Sequence, residues 1–98
     1  MPNYERLAEI THCDGAFKRY IENGLQPGGF CTAVLSNDLF AACARADSGN
    51  LKAIPELVKW IYNEAPSGCW GSASDVVAWC KSGGLEGQRK AKAAQAAA

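Results

Sequence analysis

Residues 51–65, LKAIPELVKWIYNEA, contain the strongest helical pattern in the chain. Apolar residues recur there every three or four positions, as on one face of a helix; they are Leu51, Ile54, Leu57, Val58, Ile61 and Ala65. Pro55 interrupts this stripe, and a proline costs about 3 kcal/mol beyond the first turn of a helix. We therefore expect a loose turn first, then a regular helix that starts close to Pro55 and ends before Pro66.

Helical signals continue on both sides of this stretch, and no alternation of four or more residues indicates a strand. Upstream, apolar spacing predicts a helix over about residues 13–23, with Gly24 as its left-handed stop. Downstream, Ser72 and Asp75 have the spacing of a capping box, ahead of a helix that the glycine pair 83–84 ends.

The segment over residues 30–46 has a helical pattern that the polar residues 36–38 interrupt. Their side chains compete for backbone hydrogen bonds, which favours a break. One helix could run through the segment. We expect two instead, the first ending near Leu35 and the second capped by Ser36 or Asn37.

These signals predict an all-α fold, a compact bundle of four to five short helices in one domain over residues 1–86. Residues 4–8 supply one or two amphipathic turns at its start. Residues 87–98 form an Ala/Lys-rich tail without an apolar stripe, which we expect to be flexible or a frayed helix. The predicted core consists of Phe17, Tyr20, Ile21, Phe30, Val34, Leu35, Leu39, Cys43, Leu57, Val58, Ile61, Val76 and Trp79.

The composition limits the classes of protein that fit. Ten basic and ten acidic residues give a net charge of zero, which argues against a nucleic-acid-binding surface. The chain does not start like a signal peptide, and no apolar run approaches the roughly 20 residues of a membrane span. We therefore expect a cytoplasmic protein without a membrane or nucleic-acid partner.

Residues suited to catalysis or metal binding are sparse. The five cysteines form no Cys-x-x-Cys pair, and His12 is the sole histidine. Zinc sites need clustered ligands, so we expect no metal and five free thiols in a reduced core. Cys69 precedes a helix start, where a thiolate is favoured, but no base is marked as its partner. Because no phosphate-loop or hydrolase motif occurs either, we expect no enzymatic activity and no cofactor.

Two tryptophans are candidates for binding a partner, because tryptophan is enriched in binding hot spots. Trp60 lies about 100° round the helix from Ile61, which places it off the apolar stripe. Trp70 lies in a loop between glycines. The alternative for Trp70 is that it folds back as a lid over the core.

A glycine pair is a candidate for binding an anion. Gly28 and Gly29 directly precede the helix that starts near Phe30, where backbone N–H groups favour negative charge. A tight turn is the alternative. An anionic nucleotide would also need a basic side chain, such as Arg45 or Lys59, and an aromatic ring to stack on.

Six blocks of the sequence resemble a family of short bacteriophage and prophage proteins of Proteobacteria whose function is uncharacterised. The blocks are YIENG at 20–24, PGGF at 27–30, AVLSNDL at 33–39, AD at 46–47, WIYN at 60–63 and CWGS at 69–72. The resemblance covers about residues 16–87. It implies a small phage accessory protein in the host cytoplasm, where such proteins often block a host factor or sequester a defence signal.

Three classes of function stay open at this point. The first is a non-enzymatic binding protein that uses an apolar patch around Trp60 or Trp70 for a host protein, or the glycine pair for a small anionic nucleotide. We expect it to form a homo-oligomer with one of those tryptophans near the interface. The alternative is a DNA-binding phage regulator of helix-turn-helix type, against which the zero net charge argues. A minor virion component is a third possibility.

Overall fold

A computed structural model of the chain describes residues 2–97, and these residues form seven helices without a strand. The helices are α1 Tyr4–Ile10, α2 Asp14–Asn23, α3 Gly29–Leu35, α4 Leu39–Arg45, α5 Ser48–Glu64, α6 Ala73–Ser82 and α7 Gly84–Ala97. The all-α class is confirmed. The expected count of four to five is wrong, because α1 and the tail are regular helices. None of the helices in residues 2–97 is long and apolar enough to cross a bilayer.

The longest helix, α5, starts earlier than expected. It begins at Ser48 rather than close to Pro55, because the Asp47 side chain accepts a hydrogen bond from the Asn50 backbone N–H at 2.7 Å and caps the first turn. Pro55 lies inside the helix on its exposed side. Water can therefore bond the carbonyl of Leu51, which has no N–H partner at position 55.

The break after α3 is confirmed, with a different cap. Asp38, and not Ser36 or Asn37, accepts the hydrogen bond from the Ala41 backbone N–H that starts α4. Asn37 instead takes a left-handed conformation with φ of 61° at the turn. The two short helices pack closely on each other.

The core lies between α2, α3, α5 and α6. Most of the predicted core residues are buried: Phe17, Tyr20, Ile21, Phe30, Leu35, Leu57, Ile61, Val76 and Trp79. Two hydrogen bonds fix its centre, from the Trp79 indole to the Tyr20 carbonyl at 2.9 Å and from the Tyr20 hydroxyl to the Cys69 carbonyl at 2.6 Å. The prediction is wrong for Leu39, Cys43 and Val58, which are exposed, and Val34 is only partly buried.

The segment expected to be a flexible or frayed tail belongs to α7. This helix starts where Gly24 and Gly84, both with φ of +70°, bring the backbones of α2 and α7 together. A Cβ on Gly84 would lie 2.6 Å from the Gly24 nitrogen. Beyond this crossing α7 buries little, and the side chains of residues 89–96 are exposed.

Candidate functional site

One side of α5 is covered by α1, and Trp60 lies there. Its side chain is 4% exposed, so the expectation that it faces away from the core is wrong. The Trp60 ring lies 6.1 Å from the Tyr4 ring, and its indole N–H donates to the Asn3 carbonyl at 2.9 Å. Because α1 buries a second stripe of α5, Trp60 is a core residue and not an exposed one. We call the side of α5 that α1 covers the closed side; Tyr4, Arg6, Glu56 and Trp60 lie on it.

Polar contacts surround the closed side. Arg6 of α1 pairs with Glu56 of α5 at 3.0 Å, and the Asn3 backbone N–H donates to Glu64 at 2.9 Å. Lys59 and Trp60 line a cavity of about 370 Å³ here, together with Asn3, Arg6, Ile10, Glu56, Asn63 and Glu64. Its two cations are matched by two carboxylates, so the Lys59 position does not favour an anionic ligand.

On the other side of α5, a second aromatic pair is formed by Tyr62 and the loop residue Trp70, and no helix of the described residues covers it. The Tyr62 ring, 70% exposed, lies 6.0 Å from the ring of Trp70. Trp70 is half-buried and packs against the core, as the lid alternative expected. Its buried indole N–H donates to no acceptor among residues 2–97. The two rings border a cavity of about 140 Å³, whose lining is Val34, Asn37, Val58, Ile61, Tyr62 and Trp70.

The loop before α6 holds Trp70 in this position. The Gly71 backbone N–H donates to the Leu35 carbonyl at 2.8 Å, which ties the loop to the end of α3. Gly68 and Gly71 have φ of +94° and +126°, which L side chains rarely adopt. The two glycines near Trp70 therefore allow the backbone conformation of the loop that carries it.

The short helix α4 extends this apolar surface. Its sequence, LFAACAR, has Arg45 as its sole charged residue, and Ala42 is its only buried one. Phe40 is 90% exposed, and Leu39 lines a groove with Val34 and Val58 that leads towards the cavity. A helix that is apolar all round is normally buried. We call the combined surface the open face; its residues are Val34, Leu39, Phe40, Val58, Tyr62 and Trp70.

Sequence reasoning missed the open face, because it assigned Val34, Leu39 and Val58 to the core. A signal was available in the lack of a polar outer side on α4. The pattern identifies an apolar side chain but not the element that covers it.

The glycine pair lies in a third place. Gly29 starts α3, and a Cβ there would lie 3.0 Å from the Arg45 side chain. These two residues line a cavity of about 300 Å³ with Gln26, Pro27, Thr32, Ala33, Ser36, Asp38 and Ala73. Gly28 is exposed and does not line it. The structure thus joins Gly29 to a base, but it adds the Asp38 carboxylate and provides no aromatic ring to stack a nucleotide.

Two buried cysteine thiols, those of Cys31 and Cys69, are not activated. Cys69 is fully buried, and burial raises the pKa of its thiol to about 12. Burial, and secondarily the neighbouring Cys13, raises the pKa of Cys31 to about 12. Both groups are therefore protonated at neutral pH and suited to packing rather than to nucleophilic attack. Within residues 2–97, no three potential metal ligands lie together.

The open face is the exposed apolar surface that best fits a binding role. No family model, curated protein or solved structure matches this chain. Of the six residues singled out in the sequence, the structure places Trp70 on the open face, Lys59 and Trp60 on the closed side, and Gly29 with Arg45 at the third cavity. Gly28 belongs to none of them.

Proposed function

We propose that this chain is a small non-enzymatic binding protein that acts through protein–protein contact at the open face. The carrying observation is that Tyr62 and Trp70 border an apolar cavity beside a helix that exposes Leu39 and Phe40. Contiguous apolar surface of this kind marks interaction sites, and aromatic side chains next to a pocket are typical hot spots.

The resemblance to short phage and prophage proteins supports a biological setting for this proposal. In that setting the protein is an accessory factor that acts in the host cytoplasm against a host component. An apolar contact surface suits the blocking of a protein better than the capture of a charged signal.

A small anionic nucleotide is the weaker candidate ligand. The cavity at Gly29 and Arg45 offers one cation, which the Asp38 carboxylate on the same lining opposes. Nucleotide capture also calls for an aromatic ring, and those of Tyr62 and Trp70 border a different cavity. DNA binding is weaker still, since the net charge is zero and Lys59 shares its cavity with the carboxylates of Glu56 and Glu64.

Site-specific photo-crosslinking tests the proposal in cells that express the full chain. A photoreactive phenylalanine analogue replaces Tyr62 on the open face or, as the control, Val77 on α6. Both side chains are exposed, and Val77 lines a different cavity. We expect irradiation to join a protein to the Tyr62 position and to leave the Val77 position unmodified. Equal labelling at both positions, or none at either, would contradict the proposal.

A second variant connects the adduct to the apolar surface itself. Val58→Glu places a charge in the open face, whereas Val77→Glu places one at a similarly exposed valine, 52% against 48% exposed. We expect the adduct at position 62 to disappear with Val58→Glu and to persist with Val77→Glu. Persistence with both would show that the apolar surface is not what the partner recognises.

A further inference from the structure

We infer that the open face is covered by a second copy of this chain in a two-fold dimer, with Phe40 of each copy seated in the Tyr62–Trp70 cavity of the other. The inference rests on the proposed function, because both assign protein contact to the same surface. It goes further by naming the occupant.

On this surface α4 supplies a protruding side chain, Phe40, as a knob, and the cavity beside Tyr62 and Trp70 is the matching hole. Phe40 stands on the outer side of α4 and is 90% exposed, the largest exposed fraction among the large apolar side chains that the structure describes. The cavity beside Tyr62 and Trp70 has a volume of about 140 Å³. An apolar cavity of about 150 Å³ holds a benzene ring, so this one fits a phenyl side chain.

The helix that carries the knob also lines the groove that leads to the hole. Leu39, the neighbour of Phe40, lines the groove that also contains Val34 and Val58, and both valines line the cavity as well. A two-fold interface uses the same patch on both subunits, so it requires complementary features side by side on that patch. A foreign partner would need a hole for Phe40 and a separate knob for the cavity.

The net charge of the chain and the small side chains on α4 also allow two copies to associate. The chain has a net charge of zero, so two copies do not repel each other at long range. Cys43 and Ala44 follow Phe40 at the three- and four-residue spacing of one helix side, and both are exposed. These small side chains allow a second backbone to approach α4 closely.

Sedimentation equilibrium on the full chain over micromolar concentrations tests the inference. We expect the wild type to have the mass of a dimer, and Phe40→Lys and Val58→Glu each to weaken dimerisation by about 30-fold or more, as for a hot-spot residue. Leu25→Lys changes an exposed apolar residue outside the open face and serves as the matched control. It should leave the mass unchanged.

Mixing the two open-face variants gives the sharper result. A mixed dimer of Phe40→Lys with Val58→Glu retains one intact Phe40–cavity contact and brings the new lysine against the new glutamate at the other. We therefore expect the mixture to dimerise more tightly than either variant alone. A mixture that behaves like the separate variants, or a dimer that survives both substitutions, would overturn the inference.

The outcome also separates the two proposals. A monomeric wild type that still shows a foreign protein joined to position 62 would refute the second copy and leave the proposed function standing. A monomeric wild type without any adduct at position 62 would refute both. Dimers joined through position 62 without any foreign protein would support the second copy and contradict a host partner at the open face.

Discussion

The two sides of α5 present tryptophan rings in opposite situations. On the closed side, Trp60 packs under α1 with its indole N–H bonded to the Asn3 carbonyl, and Arg6 pairs with Glu56 at the edge. On the open face, the Trp70 ring lies tilted against the ring of the exposed Tyr62, and its indole N–H has no acceptor among residues 2–97. The two sides differ in whether a helix with a polar outer surface covers the aromatic rings. Among residues 2–97, α1 covers the first side, and no helix covers the second.

This difference indicates which aromatic residues stabilise the monomer and which are available for a partner. A buried ring with a bonded polar atom contributes to folding, whereas an exposed ring contributes to folding only through the contacts of its inner edge. Substitutions on the two sides should therefore differ in how much they lower the free energy of unfolding.

The largest expected effect is at Trp60. Trp60→Ala removes a buried ring under α1 and should lower the free energy of unfolding by about 3–5 kcal/mol. For a chain of this size, that lowers the melting temperature by more than about 10 °C. Circular dichroism at low protein concentration provides the measurement.

Tyr62→Ala is the matched control, an exposed aromatic residue two positions along the same helix. It should cost less than about 1 kcal/mol in dilute solution, where any partner has dissociated. Equal losses at Trp60 and Tyr62 would mean that both sides are covered within the monomer.

A smaller effect is expected at the hydroxyl of Tyr4. The Tyr4 hydroxyl donates to the Glu22 carboxylate and joins α1 to α2. Tyr4→Phe keeps the ring against Trp60 and removes this hydrogen bond, at a cost of about 1 kcal/mol. Urea denaturation at neutral pH measures the change. A stabilised variant would show that the bond does not hold the cover in place.

The same hydroxyl makes the closed side sensitive to alkali. Burial, and then the hydrogen bond and charge of Glu22, raise the pKa of Tyr4 above its usual value of 10.0. A raised pKa in the folded state contributes stability that is present below pH 10 and is lost as pH rises through the folded pKa. We expect unfolding free energies measured above pH 10 to fall less steeply with pH in Tyr4→Phe than in the wild type. An unchanged slope in Tyr4→Phe would contradict the assignment.

The sequence predicted best what neighbouring residues determine. The Ser72 side chain accepts from the Asp75 backbone N–H as the capping box indicated, and Gly24 and Gly83 end their helices in the left-handed conformation. Each signal depends on a turn of a few residues, so it is readable without the rest of the fold.

The failures involve partners that lie far away in the sequence. Trp60 is buried under α1, and its indole N–H donates to the carbonyl of Asn3, 57 positions away. The helical spacing of α5 alone does not reveal this contact. Leu39 and Val58 have the apolar spacing of core residues, but no helix in the described part of the chain covers them. The candidate site is this uncovered surface, so the same missing information hid both the correct core and the site. Among the site residues named from the sequence, Trp70 alone lies on it.

The smallest expected effect, on which the contrast finally depends, is at Val58. Val58→Thr adds a hydroxyl at a position 48% exposed, where water can solvate it, so in dilute solution it should change the free energy of unfolding by less than about 0.5 kcal/mol. Ile61→Val, which deletes one methyl group from a buried residue on the same helix, should cost about 0.5–1.5 kcal/mol.

Raising the protein concentration should reverse the order of these two variants. Association stabilises the folded state in proportion to the logarithm of partner concentration over Kd, so a weakened interface lowers stability only where dimers form. Val58→Thr should then lose stability relative to the wild type while the penalty of Ile61→Val stays constant. If the Val58→Thr penalty is instead large in dilute solution and independent of concentration, Val58 is packed within the monomer and the open face is not open.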